Sequence, residues 1–157
     1  RKKPSRWMRW IEQSAKVRKN AVKGLDTNVL VSGLLNPSGP PGRLLDSVLN
    51  GHLILAIDDR MFAEYSAVLH RPKFKFNKAD VRDFLAFLGQ QHWINAHPLN
   101  IKELSDSSDL PFAEVALSLP DPVLVTGNPR HFPKPKLKGL RVLSPQTAWI
   151  ELVQESA

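Results

Sequence analysis

The sequence predicts an α/β domain in which a parallel sheet of about five strands carries helices on both faces. Three observations lead there. Short apolar runs recur along the chain, bounded by acids, glycines and prolines. Between them, apolar residues repeat every three or four positions, the rhythm of a helix with one buried face. The 157 residues are 42% hydrophobic and 24% charged, ordinary for one globular core.

The first strand runs from Ala21 to Leu25 and arrives at Asp26, with Thr27 and Asn28 in the turn. Val29, Leu30, Leu34 and Leu35 then share one helical face. An ionised carboxylate beside a hydrophobic strand needs a cation or hydrogen-bond donors to offset its lost hydration. Asp26 is therefore either a cap on the helix that follows or part of a cation site; the strand and helix alone leave both open.

The loop Asn36–Gly42 is built of proline, glycine and serine. Pro41 suits the start of a helix whose face is Leu44, Leu45, Val48 and Leu49, and Asn50-Gly51 ends it. His52–Ile57 is the second strand. Asp58 caps a helix from Asp59 to about Leu69, with Met61, Tyr65, Val68 and Leu69 inward; Glu64 lies at the edge of that face, where a solvated carboxylate is the plain expectation. Arg71-Pro-Lys-Phe-Lys-Phe76 alternates cations and aromatics. It is either a loop packing its phenylalanines inward or a strip that meets phosphates and bases.

Asn77 caps the helix Lys78–Gly89, and Trp93–Ala96 reads as a short third strand. Residues 101–108 are polar and turn-rich. Asp109 opens a helix reaching Leu119, with Pro111 in its first turn, where a missing N–H costs nothing. Val123–Gly127 is the fourth strand and Leu140–Leu143 the fifth. Ser144-Pro145 starts a closing helix bearing Ala148, Trp149 and Leu152.

The net charge is +7, from 22 basic and 15 acidic residues. Residues 1–20 hold eight of the bases and one acid, which leaves 14 of each in residues 21–157. The chain thus divides into a basic amino-terminal extension, 1–20, and a neutral domain, 21–157. Trp7, Trp10, Ile11 and Ser14 fall at helical spacing in the extension. They would pack on the domain or on a second subunit of a homodimer, or else the basic face meets nucleic acid or an anionic surface. No apolar run approaches the roughly 18 residues of a membrane span, and no secretory leader is expected. With no cysteine, disulfides and zinc–thiolate sites are excluded, which suits a cytoplasmic protein.

Asp26 ends the first strand, Glu64 lies mid-helix after the second, and Asp109 opens the helix before the fourth. Clustered carboxylates repel unless a divalent ion compensates them, and hard oxygen ligands suit Mg²⁺ or Mn²⁺. Each acid alone also has a local explanation. Asp106 is a reserve acid near Asp109, or a turn residue.

Four motifs stand in order: Leu25-Asp-Thr-Asn-Val-Leu-Val-Ser32, Glu64-Tyr with Leu69-His-Arg-Pro-Lys-Phe74, Ser108-Asp-Leu-Pro-Phe112, and Leu124-Val-Thr-Gly-Asn128 followed by His131-Phe-Pro. From about Val22 to Leu152 the chain resembles the PIN-domain family, in particular the branch of toxin components of toxin–antitoxin pairs. The resemblance implies a three-layer α/β/α sandwich and a Mg²⁺- or Mn²⁺-dependent ribonuclease, with RNA and an antitoxin protein as partners. It implies Asp26, Glu64 and Asp109 as the metal-binding catalytic acids. Asn28, Thr126 and Asn128 take second-rank or substrate-orienting positions. Arg71, Lys73, Lys75, Arg130 and Lys134 are candidates for the RNA backbone. Many relatives carry a further acid where this chain has Asn128, a departure that bears on a second metal. Two other readings stand beside it: a PIN-fold module that binds RNA or protein without catalysis, and an aspartate phosphoacceptor domain. The second wants a lysine and paired acids that do not place well here.

Overall fold

A computed structural model of the chain describes residues 21–154, apart from 97, 99–103 and 105. The basic extension, 1–20, and part of the polar segment before Asp109 lie outside the described residues. The sheet is parallel throughout, with strand order β3-β2-β1-β4-β5. Its members are β1 (Val22–Leu25), β2 (Ile54–Ile57), β3 (His92–Trp93), β4 (Val123–Val125) and β5 (Arg141–Leu143). Helices cover both sides, the α/β/α arrangement that the sequence predicts.

The central position of β1 has one consequence for everything that follows. The chain winds from β1 outward through β2 to β3, then crosses back to lay β4 on the other side of β1. The gap between the carboxyl ends of β1 and β4 is therefore the topological switch point, where open α/β sheets leave a crevice. Register fixes which residues meet there, since Leu25 pairs with Val125 and places Asp26 beside Thr126.

Most helices begin where their chemistry predicts, but Thr27 and Asn28, expected in the turn, are the first two residues of the first helix. Asp26 caps α1 (Thr27–Leu35), accepting from the Thr27 N–H. The helix α2 (Pro40–Leu49) starts on prolines. Asp58 caps α3 (Asp59–Leu69) through the Met61 N–H, and Asn77 caps α4 (Lys78–Leu88). The fifth, α5 (Leu110–Leu117), follows a 3₁₀ turn, Ser107–Asp109. Ser144 caps α6 (Pro145–Ala148), which widens into a π turn over Trp149–Gln154.

Every strand is shorter than its apolar run suggests, β2, β3 and β4 by two residues each. β3 covers His92–Trp93 instead of Trp93–Ala96, because the last ladder bond is Ile94 N–H to the Ile57 carbonyl. Beyond it, among the described residues, no strand continues the pairing at this edge. Likewise β4 stops at Val125, because Asp26 N–H and Thr126 N–H turn to the Val125 and Leu143 carbonyls at the sheet's end.

Small residues set how closely the layers approach. A Cβ on Gly24 of β1 would lie 3.2 Å from Leu124 and 3.3 Å from Ala116 of α5, so α5 rides directly on the central strands. In α1, a Cβ on Gly33 would lie 2.7 Å from Leu45 and 2.7 Å from the Pro41 carbonyl. That absence of a side chain lets α1 and α2 pack as a tight pair. At the amino end of the sheet, the buried Lys23 ammonium meets Asp121 at 2.7 Å.

Gly33→Ala tests the α1–α2 contact. Alanine brings about 1 kcal/mol of helix propensity, but backbone oxygen at 2.7 Å cannot step aside. The net result should be a loss of about 1–3 kcal/mol in urea unfolding. Gly127→Ala, with nothing within 4 Å, should change stability by less than about 0.5 kcal/mol.

Candidate functional site

At the switch point lies a cleft of about 440 Å³. Its floor is acidic: Asp26, Glu64, Asp106 and Asp109 all line it. Asp26 is buried, and each of its oxygens accepts one hydrogen bond. Its Oδ1 accepts from Thr27 N–H at 2.8 Å and its Oδ2 from the Thr126 hydroxyl at 2.7 Å. Thr126 is buried behind it, and its oxygen also accepts from Asn128 N–H at 3.0 Å. Burial pushes the Asp26 carboxyl above its ordinary range, and the Thr126 and Thr27 donors only partly restore the charged form.

Asp109 arrives from the other side, at the foot of α5. Burial, then the charge of Asp26 and that of Asp106, raise its carboxyl to about 6. His131 opposes this, its Nδ1 lying 3.1 Å from Asp109 Oδ2. The approach lacks the direction of a hydrogen bond, and Asp109 Oδ2 stays buried without a donor. Asp106 differs. Held by the Ser108 hydroxyl at 2.7 Å and the Ser108 N–H at 2.9 Å, its carboxyl sits below the usual range. It is a turn residue that also faces the cleft.

Glu64 is half-buried on α3 and accepts a hydrogen bond from the Thr27 hydroxyl. It is thus not the solvated carboxylate that a helix edge suggests. The next residue, Tyr65, is buried and donates its hydroxyl to the Leu25 carbonyl at the end of β1. This bond aligns α3 with the strand that delivers Asp26. Burial also holds the Tyr65 phenol well above its ordinary pKa, so it stays a donor.

The structure brings together Asp26, Glu64, Asp109, Asn28, Arg71 and Lys73 as lining residues of one cleft. Thr126 stands behind the floor and touches it through Asp26. Asn128, Lys75, Arg130 and Lys134 are exposed and do not line it. At the edge where a further acid was sought, the side chain that enters is His131, carried by the 3₁₀ turn Pro129–His131. The sequence reading met His131 only as a neighbour of Asn128.

A second group escaped the sequence reading. Glu114 of α5 is buried and pairs with Arg60 of α3 at 2.6 Å, while Arg60 also holds Asp58 at 2.8 Å. The signal was present: a glutamate inside Leu-Pro-Phe-Ala-Glu-Val-Ala-Leu must find a cation. This bridge ties the helix bearing Glu64 to the helix that Asp109 starts.

The donor chemistry fits a hard divalent cation. Two buried carboxylates converge, one raises the other's pKa, and a buried Asp109 oxygen has no donor. Among the described residues, no three histidine, aspartate or glutamate side chains form a metal cage by themselves.

Comparison with models of known protein families matches residues 25–130 to the PIN domain. Neither the curated proteins nor the solved structures yield a match. The chain belongs to the PIN-domain family. PIN domains are generally nucleases that use divalent metal ions, so this is a nuclease-type fold. No helix among the described residues is long and apolar enough to cross a membrane.

The strained floor predicts a pH effect on stability. Asp109 rises from 3.8 to about 6 on folding, so the folded state holds its proton longer than the unfolded chain. Stability without metal therefore falls as pH climbs from about 4 to about 6 and stays low above that. Asp109→Asn should remove this component and raise Tm in EDTA above pH 6 by several degrees, since a shift of that size is worth at most about 3 kcal/mol. Calorimetry between acid and neutral pH checks it; a difference that does not change with pH would contradict it.

Proposed function

We propose, from its place in the PIN-domain family and the cleft just described, that this chain is a metal-dependent endoribonuclease. One observation carries the reading most of the way. Two buried carboxylates, Asp26 and Asp109, meet at the switch point with no lysine or arginine ion-paired to either among the described residues. A fold does not leave such charge uncompensated without a cost, and a cation that arrives with function resolves it.

Asp26 and Asp109 would hold a Mg²⁺ or Mn²⁺ ion, with Glu64 reaching it directly or through water. Such an ion supplies positive charge beside the scissile phosphate and lowers the pKa of a bound water. The chain's own residues do the rest. Thr126 and the Thr27 N–H hold Asp26 in one orientation, so its free lone pairs keep a fixed direction. Thr27 does the same for Glu64 through its hydroxyl. Arg71 and Lys73, which line the same cleft, would meet the flanking backbone phosphates and hold the strand in register.

A role as a toxin restrained by an antitoxin protein is supported by the likeness of the four motifs to that branch. The second reading, a PIN module that binds without cutting, draws support from the missing three-residue cage among the described residues. Titration with Mn²⁺ separates the two, because a chain that binds the ion and cleaves nothing is the module.

The direct test is cleavage of RNA by the full chain in Mn²⁺ and in EDTA. Activity should vanish in EDTA. Asp26→Asn keeps the size of the side chain and both neighbouring donors, yet removes the charge, so the rate should drop at least about 100-fold while the fold survives. Equal rates for parent and variant would sink the assignment.

A further inference from the structure

At the edge of the cleft made by the end of β4, the side chain that enters belongs to His131, while Asn128 stays outside. The Asn128 N–H goes to the Thr126 hydroxyl oxygen at 3.0 Å, and the same hydroxyl donates to Asp26. One side chain thus ties the turn Pro129–His131 to the floor. The residue after the turn, Phe132, is buried, and its N–H returns to the Pro129 carbonyl at 3.0 Å. Proline fixes the backbone at one end of the turn and the buried ring anchors the other, so His131 is held in place. Its Nδ1 lies 3.1 Å from Asp109 Oδ2. Asp109 is only 8% exposed, and that oxygen is buried with no hydrogen-bond donor.

Two arrangements give an N–O separation of this size. In the first, a protonated imidazole is a counter-charge to the carboxylate, but the approach lacks the direction that a donated proton would give it. In the second, imidazole and carboxylate both present lone pairs, and a cation joins them. In an octahedral shell with bonds of about 2.1 Å, adjacent donor atoms stand about 3.0 Å apart. The observed 3.1 Å matches that edge. We infer that His131 Nδ1 is a ligand of the cleft's metal ion beside Asp109 Oδ2, and that this nitrogen makes the site select first-row transition ions over Mg²⁺. The proposal rests on the nuclease reading only for the presence of an ion in this cleft. Affinity of a nitrogen-bearing site climbs from Mn²⁺ through Fe²⁺ to Co²⁺, whereas Mg²⁺ keeps to oxygen and water. Among the described residues no third acid or histidine completes a cage around the pair. Water and a substrate phosphate fill the other positions.

Metal binding by the full chain tests this apart from cleavage. Calorimetric titration at mildly alkaline pH measures affinity for Mg²⁺, Mn²⁺ and Co²⁺. Pulsed electron paramagnetic resonance of the Mn²⁺-loaded chain reports nitrogen bound to the ion. The parent should show nitrogen coupling and bind Co²⁺ more tightly than Mn²⁺, and Mn²⁺ more tightly than Mg²⁺. His131→Leu, which removes the donor, should abolish the coupling and weaken Co²⁺ binding at least about tenfold, the lower end for loss of a group that supports a metal. Its effect on Mg²⁺ should be smaller. His131→Asp supplies an oxygen instead, so the coupling should stay absent while Mg²⁺ binds at least as tightly as in the parent. The parent's own coupling needs no substitution, so it reports even where a variant disturbs the fold. Absence of that coupling would overturn the proposal. So would His131→Leu binding all three ions as tightly as the parent or more so, the sign expected of an imidazole that is only a positive charge competing with the ion. RNA cleavage in Mn²⁺ keeps the two readings apart. Cutting by a parent without nitrogen coupling leaves the nuclease standing and takes His131 off the metal, and coupling without cutting does the reverse. A parent that binds none of the ions overturns both.

Discussion

The burial of Asp26 at the carboxyl end of the central strand is the constraint from which the rest of the structure follows. A carboxylate there cannot keep its water, and the protein offers it two neutral donors, the Thr27 N–H and the Thr126 hydroxyl. Neutral donors orient a charge more than they cancel it. The remaining imbalance shows in the upward shift of Asp26 and in the larger one of Asp109, which it helps to cause. Thr126 can serve only because β4 pairs with β1 in the register that sets Leu25 against Val125. Strand order, register and a single hydroxyl are thus parts of one arrangement.

The helices that bring the other acids are fixed with comparable economy. Tyr65 fastens α3 to the last carbonyl of β1, one residue before Asp26. Arg60 joins the start of α3 to Glu114 on α5. Gly24 and Ala116 let α5 lie against the sheet closely enough that Asp109 reaches the crevice. None of these residues touches the floor of the cleft. Each governs how far apart the carboxylates stand, and at such distances a shift of an ångström alters their mutual repulsion strongly.

Much of this was legible in the sequence because it rests on local rules. Period and punctuation located all five strands and the helices, and the caps at Asp58, Asn77 and Ser144 are where the side chains predict. Asp26 was ambiguous between cap and cation site, and it is in fact the cap of α1 while also forming the floor. What the sequence could not show depends on separations of many residues. Thr27 meeting Glu64 and His131 meeting Asp109 are contacts made by the topology, with no periodic trace. The span of β3 was misplaced because an edge strand is defined by where its neighbour stops, not by its own residues. Nor could the sequence show which cations share the cleft: Arg71 and Lys73 line it, and Lys75, Arg130 and Lys134 lie outside it.

The tie between Lys23 and Asp121 lies at the opposite end of the sheet from the cleft. There a buried charge is answered within the protein, and the surrounding field is quiet. At the other end two buried carboxylates meet with only neutral donors and His131 beside them. The molecule therefore has an electrical front and back along its strand axis. Small cations in solution are drawn to the acidic floor, while Arg71 and Lys73 on the same cleft favour anions. If the cleft works as proposed above, a cation would precede nucleic acid there because of the charge layout, with no moving part to enforce it.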